Sequence, residues 1–206
     1  MKKILLLLFI FACGTAVFAQ AEKTAEIKTI DAYTKKLGAL VTRSKSPHLV
    51  FADTASQTSK RSRWRQFASE KALDKFREKS ETYEIAYCWK QTGNIVAVST
   101  TLFSGSGDWA QYVYHYFRPD GTLAKVESDY RTFYGDFIIE EEVYYNSAGK
   151  QLKKNKRYRD LTTKKFKKPD PESLQANSGL AKFDIYKTVK KLPFAHLLAP
   201  KPKTNK

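Results

Sequence analysis

The sequence predicts an α+β domain. A six-stranded antiparallel β-meander built from hairpin repeats is covered on one face by an N-terminal helix, and a C-terminal helix is a candidate for the same role. Three observations lead there. From Tyr83 the apolar period changes from 3.6 residues to 2, turn residues punctuate the next eighty or so residues at regular intervals, and the chain matches itself at a shift of 28.

The elements follow in chain order. Lys2 and Lys3, the apolar run over residues 4–12 and the small residues ending in Val17-Phe18-Ala19 have the form of a secretory signal, so residues 1–19 are expected to be removed after Ala19. The apolar run is too short to span a bilayer, and charge returns at Glu22 and Lys23, so no transmembrane segment is expected in the mature chain. A lipoprotein signal anchored through Cys13 is the minor alternative, with Phe11 a poor fit to such a box. Residues 20–43 form the N-terminal helix, because Ile27, Ile30, Tyr33, Leu37, Leu40 and Val41 fall on one stripe. In residues 44–79, a loop with one apolar anchor, Leu49-Val50-Phe51, leads to a second helix that begins around Trp64 and includes Phe67, Ala72 and Phe76.

Residues 80–168 make the meander. Its turns are Gln91-Thr92-Gly93-Asn94, Ser104 to Asp108, Arg118-Pro119-Asp120-Gly121, Tyr134-Gly135-Asp136 and Asn146-Ser147-Ala148-Gly149. In the third of these, Pro119 presets φ and Gly121 is free to take positive φ. The 28-residue match joins residues 107–131 to 135–159: Gly107 with Gly135, Asp108 with Asp136, Tyr116 with Tyr144, Gly121 with Gly149, Tyr130 with Tyr158 and Arg131 with Arg159. Gly93 extends it to a degenerate first copy. This pattern of an aromatic pair, a short Gly turn and a basic residue, over residues 109–160, resembles bacterial tandem β-hairpin proteins of the MORN-like kind. The resemblance implies a structural or interaction scaffold rather than an enzyme. Residues 169–199 hold a last helix carrying Leu180, Phe183, Tyr186 and Val189, followed by a docking segment with Phe194, Leu197 and Leu198, and residues 200–206 are a basic tail.

Pairing Arg118 with Thr122 predicts which side chains share a face. Tyr116 falls opposite Ala124, Tyr114 opposite Val126, Tyr112 opposite Ser128 and Ala110 opposite Tyr130, which makes one face aromatic. Gln111, Val113 and His115 occupy the other, opposite Asp129, Glu127 and Lys125. In the next hairpin the same rule sets Glu142 against Lys154 and Glu140 against Lys156, so these carboxylates read as ion-pair partners rather than an acid and base.

Composition narrows the function classes. There are 37 Lys and Arg against 21 Asp and Glu, a net charge of +16, and removal of Lys2 and Lys3 leaves +14. Such a chain is attracted to anionic envelope polymers or lipid head groups, and nucleic acid satisfies the same electrostatics. The excess concentrates at residues 150–168, which hold ten basic residues and one acid. The mature chain retains one cysteine, Cys88, expected to be a buried small hydrophobe. His48, His115 and His196 lie far apart without metal spacing, and no nucleophile elbow or P-loop is present, so no catalytic residue, cofactor or metal is assigned.

The leading expectation is an exported, non-catalytic binding or structural protein of the bacterial envelope, periplasmic or secreted. It engages its anionic partner through Lys153, Arg157, Arg159, Lys164, Lys165, Lys167 and Lys168. The alternative is an aromatic pocket for a small apolar ligand lined by Tyr112, Tyr114, Tyr116 and Tyr130. A hydrolase acting on an envelope polymer comes third, resting on His115 near Lys125 and Asp129.

Overall fold

The computed structural model describes residues 2–44, 46–55, 59 and 61–198, with side chains from residue 20 onward. The side chains of the expected signal segment and the whole of the expected basic tail, residues 200–206, lie outside the described residues. The protein is α+β: an N-terminal helix, α1 (Lys2–Arg43), packs on an antiparallel meander. No helix among the described residues is long and apolar enough to cross a membrane.

Among the described residues the sheet has eight strands rather than six, in the order β2-β1-β3-β4-β5-β6-β7-β8. The expected hairpins are present as β3 (Glu84–Gln91) with β4 (Asn94–Phe103), β5 (Trp109–Phe117) with β6 (Leu123–Thr132), and β7 (Phe137–Tyr145) with β8 (Gln151–Asp160). The two additional strands, β1 (Leu49–Asp53) and β2 (Trp64–Phe67), come from the segment expected to be a loop and the start of a helix. Leu49-Val50-Phe51 is not a loop anchor. Val50, Phe51 and Ala52 are buried on alternating sides, which requires an extended chain with neighbours on both faces. Trp64 and Phe67 pair with β1, and the helix after them, α2 (Glu70–Arg77), starts only at Ser69, whose hydroxyl caps the Ala72 amide.

Each hairpin carries a β-bulge that the turn-based register could not anticipate. The pairing Arg118 with Thr122 holds at the turn, but Phe117 then meets Leu123 and Tyr116 meets Lys125, leaving Ala124 as an extra residue. Val96 and Leu152 are the extra residues of the other two hairpins, so the bulges fall at 28-residue intervals. Beyond each bulge the register is shifted by one. Tyr116, Tyr114 and Tyr112 face Lys125, Glu127 and Asp129, while His115, Val113 and Gln111 face Val126, Ser128 and Tyr130. Tyr130 therefore lies on the opposite side of the sheet from the other three tyrosines.

The bulged residues seat α1. Ala124 packs with Ile30, Leu152 against that same cluster beside Ile27 and Tyr33, and Val96 with Leu37, Leu40 and Val41. Two strands step ~9.6 Å across a sheet, and a helix rises ~1.5 Å per residue, so about six to seven helix residues match one hairpin. The Ile30-to-Leu37 step of the apolar stripe has that length. Tyr33 also donates to the Phe117 carbonyl at 2.6 Å, tying the helix to the bulge itself.

The other face is covered by the C-terminal segment. Its helix, α3 (Pro171–Asn177), is capped by Asp170 and lies N-terminal to the expected helix; Leu180, Phe183, Tyr186 and Val189 belong instead to a non-helical strap over residues 178–188 and a 3-10 turn, Val189–Lys191. The strap gives up internal hydrogen bonds because the sheet supplies others: Leu123 N donates to Lys187 O at 2.9 Å, and Gln111 Nε2 to Ala181 O at 3.0 Å. The Phe194 ring is fully buried and stacks on Phe51 at 4.4 Å. Cys88 is free and fully buried, and burial pushes its thiol up to about 12, which makes it chemically inert.

Candidate functional site

The helix face beyond α1 is a charged lattice. Lys125, only 6 % exposed in its side chain, reaches Asp31 of α1 at 3.3 Å, Glu127 at 2.8 Å and Glu142 at 3.2 Å. Burial alone would lower the Lys125 pKa, but the hydrogen bonds and charges of Glu127, Tyr144 and Glu142 outweigh it and hold it above the ordinary lysine range. Tyr116 is buried there and donates to Glu127, while Tyr112 and Tyr114 are half-buried, with Arg131 over the Tyr112 ring. Tyr130 is fully buried under α3, its hydroxyl donating to Asn177 Oδ1 at 2.7 Å. The four tyrosines expected to line one pocket are thus divided between two faces. The third expectation loses its footing for the same reason: His115 is on the strap face, and Lys125 and Asp129 are on the helix face.

The basic last strand is a sheet edge. An edge strand rich in lysine is also what keeps exposed β edges from pairing with other chains. Most of its charge is matched by β7, though with partners displaced by the bulge: Glu141 takes Lys154 at 2.6 Å and Lys156 at 2.8 Å, and Glu140 takes Arg159 at 2.9 Å and Arg157 at 3.5 Å. Burial opposes the charge on Glu141, yet the two lysines hold its pKa below the usual carboxylate value. Lys153 lies against the Tyr144 ring without an ion pair among the described residues.

The remaining expected residues gather at the far end of β8. After Asp160 the chain hooks back: Phe166 bridges Arg159, and Lys167 N donates to Tyr158 O. The Lys167 ammonium donates to the carbonyls of Gly135 and Asp136 at 2.8 and 2.9 Å, fastening the hook to the β6–β7 turn. Phe166 is 80 % exposed, and Phe133 and Tyr134 of that turn are 66 % and 51 % exposed. Lys164, Lys165 and Lys168 are exposed around them and form no ion pair among the described residues. The aromatics of this tip escaped the sequence argument, although two signals were present. Phe133-Tyr134 places bulky apolar rings at a turn, and Phe166 interrupts a run of four lysines.

A cavity of about 780 Å³ lies on the strap face, between the sheet and residues 174–186. Val113, Ile139 and Phe183 line it, with Glu84 and Asp184 toward β3 and Lys154 and Lys156 toward β8. His115, 1 % exposed, donates Nε2–H to Asp184 O at 3.1 Å, and burial drives its pKa down to about 4, so it is a neutral fastening for the strap. No cluster of metal-binding side chains occurs among the described residues.

Glu84 was not singled out in the sequence. Burial, reinforced by Asp53 and Asp184, raises its carboxyl from 4.5 to about 7. The protonated form is favoured in the folded state, so the domain loses stability as pH rises from 4.5 through about 7, by up to about 3 kcal/mol. Glu84→Gln removes that loss. In urea titrations the variant should be more stable than the parent at pH 8 and no more stable at pH 4; a gap that does not vary with pH would contradict the assignment.

Compared with known proteins, the chain matches no family model, no curated protein and no solved structure.

Proposed function

We propose that this is an exported, non-catalytic protein of the bacterial envelope that attaches to an anionic lipid surface through the tip formed by the β6–β7 turn and the hook after β8. The carrying observation is the coincidence of three exposed rings, Phe133, Tyr134 and Phe166, with the ammonium groups of Lys164, Lys165 and Lys168, which form no ion pair among the described residues. Aromatic rings ringed by lysine suit a bilayer interface, where the rings gain an apolar phase and the cations meet head groups. An acidic polymer or a nucleic acid duplex matches the cations but offers no apolar phase for the phenylalanines. The resemblance to MORN-like scaffolds agrees with a non-catalytic role. Arg157 and Arg159 take a lesser part, because Glu140 and Glu142 already engage them.

Sedimentation with vesicles tests this. Binding should be strong to phosphatidylglycerol vesicles, weak to phosphatidylcholine, and reduced by salt. Each lysine near such a surface contributes about 1 kcal/mol, so Lys164→Glu, Lys165→Glu and Lys168→Glu together should weaken binding by more than 100-fold. Phe133→Ser with Phe166→Ser should weaken vesicle binding while leaving retention on heparin unchanged. Equal loss on heparin would move the partner to an acidic polymer, and no loss on vesicles would remove the reading.

A further inference from the structure

We propose that the cavity beneath the strap binds a small anionic amphiphile, its apolar body on the sheet and its charged head at the mouth beside β8. The volume of about 780 Å³ is that of a small-molecule site. Its floor is apolar where the strap does not touch the sheet: Val113 and Ile139 contribute from below and Phe183 from the strap. Val113 and Ile139 are themselves buried, and the apolar surface open to the cavity comes from the partly exposed Leu102, Tyr158, Leu174 and Phe183, which an apolar body would cover.

Charge then fixes the direction in which an occupant lies. At the β8 mouth stand Lys154 and Lys156, which share the single carboxylate of Glu141 and leave an excess of one positive charge. Lys182 adds a further cation to the lining from the strap and forms no ion pair among the described residues. The opposite end carries Glu84 and Asp184, with Asp53 near enough to raise the Glu84 pKa. An anionic head is attracted at one end and repelled at the other.

The strap is built to yield. It is held over β5 through its backbone, by Gln111 to Ala181 O and His115 to Asp184 O. Beneath it the other polar atoms of the same two side chains, Gln111 Oε1 and His115 Nδ1, are buried without a protein partner. Closure therefore leaves two polar groups unsatisfied, and lifting the strap restores them to water. This site is on the opposite face from α1, and the lipid-surface reading neither requires nor implies it.

The test uses the purified protein and 1-anilinonaphthalene-8-sulfonate, an anionic apolar fluorophore. Its fluorescence should rise saturably with one site per chain, and dodecanoate should displace it at least tenfold more effectively than dodecyltrimethylammonium. Ala181→Trp, which fills the cavity, should weaken the probe at least tenfold; Ser178→Trp at the exposed rim gives the same readout should the first variant fail to fold. Lys182→Glu should narrow the preference for dodecanoate. Equal displacement by the two amphiphiles, or probe binding indifferent to both tryptophans, would overturn the proposal. Vesicle binding should be unchanged in both tryptophan variants, which separates failure of this site from failure of the lipid-surface reading.

Discussion

Replacing Lys125 with methionine should destabilise the domain by about 3–5 kcal/mol, as measured by urea unfolding at neutral pH. The side chain volume is nearly kept, so the cost is electrostatic. Asp31, Glu127 and Glu142 converge on one ammonium that is almost inaccessible to water. Removing it leaves three carboxylates facing one another across the seam between α1 and the sheet, and the Asp31–Tyr144 hydrogen bond loses the charge that holds it in place. A second measurement separates this from loss of packing. The variant should recover stability as pH falls into the carboxylate range, whereas the parent, whose Glu142 is held below the usual value, should lose it. A variant that unfolds at the parent's urea concentration would show that Lys125 carries no such burden.

Phe194→Ala should cost a comparable amount, about 3–5 kcal/mol, by leaving a cavity under the C-terminal segment. The ring is fully buried, stacked on Phe51 of β1 and packed on Trp64 of β2 at 5.0 Å. It is where the last residues of the described chain close the core at the β1–β2 side. Two outcomes distinguish a loss at that corner from general loosening. Amide exchange should accelerate first in β1 and β2, and the interior of the β5–β6–β7 ladder should stay protected until global unfolding. Uniform acceleration across all strands would indicate that Phe194 is not a local keystone.

The three hairpins were legible because each carries its own turn chemistry and an alternating pattern, both of which are local. The strands β1 and β2 were not. Val50-Phe51-Ala52 is too short to show a period, and Trp64-Arg65-Gln66-Phe67 has the spacing of one helical turn as readily as that of an edge strand. Their identity depends on pairing between segments that are distant in sequence. The faces of Tyr130 and Tyr158 were misassigned for a different reason, while Tyr112, Tyr114 and Tyr116 do share the α1 face. A bulge leaves no mark in composition, and one inserted residue exchanges the two faces. The Ala124 bulge put Tyr130 under α3 and separated His115 from Lys125, and the Leu152 bulge moved Lys154 and Lys156 from Glu142 and Glu140 to Glu141. The basic segment was visible as composition, but which of its residues β7 engages, Lys154, Lys156, Arg157 and Arg159, required the neighbouring strand.

The bulges also set a rule of proportion. Each one presents an added side chain to α1 once per hairpin: Val96 meets it at Leu37, and Ala124 and Leu152 meet it seven to ten residues earlier, at Ile30 and Ile27, so the helix must reach along the sheet as far as its bulges do. Lengthening this architecture by one hairpin would call for a further stretch of apolar helix; a sheet extended without it would expose a bulge with nothing to cover it. Helix length and strand number are therefore not independent variables in this protein, and any chain built on the same plan is expected to change them together.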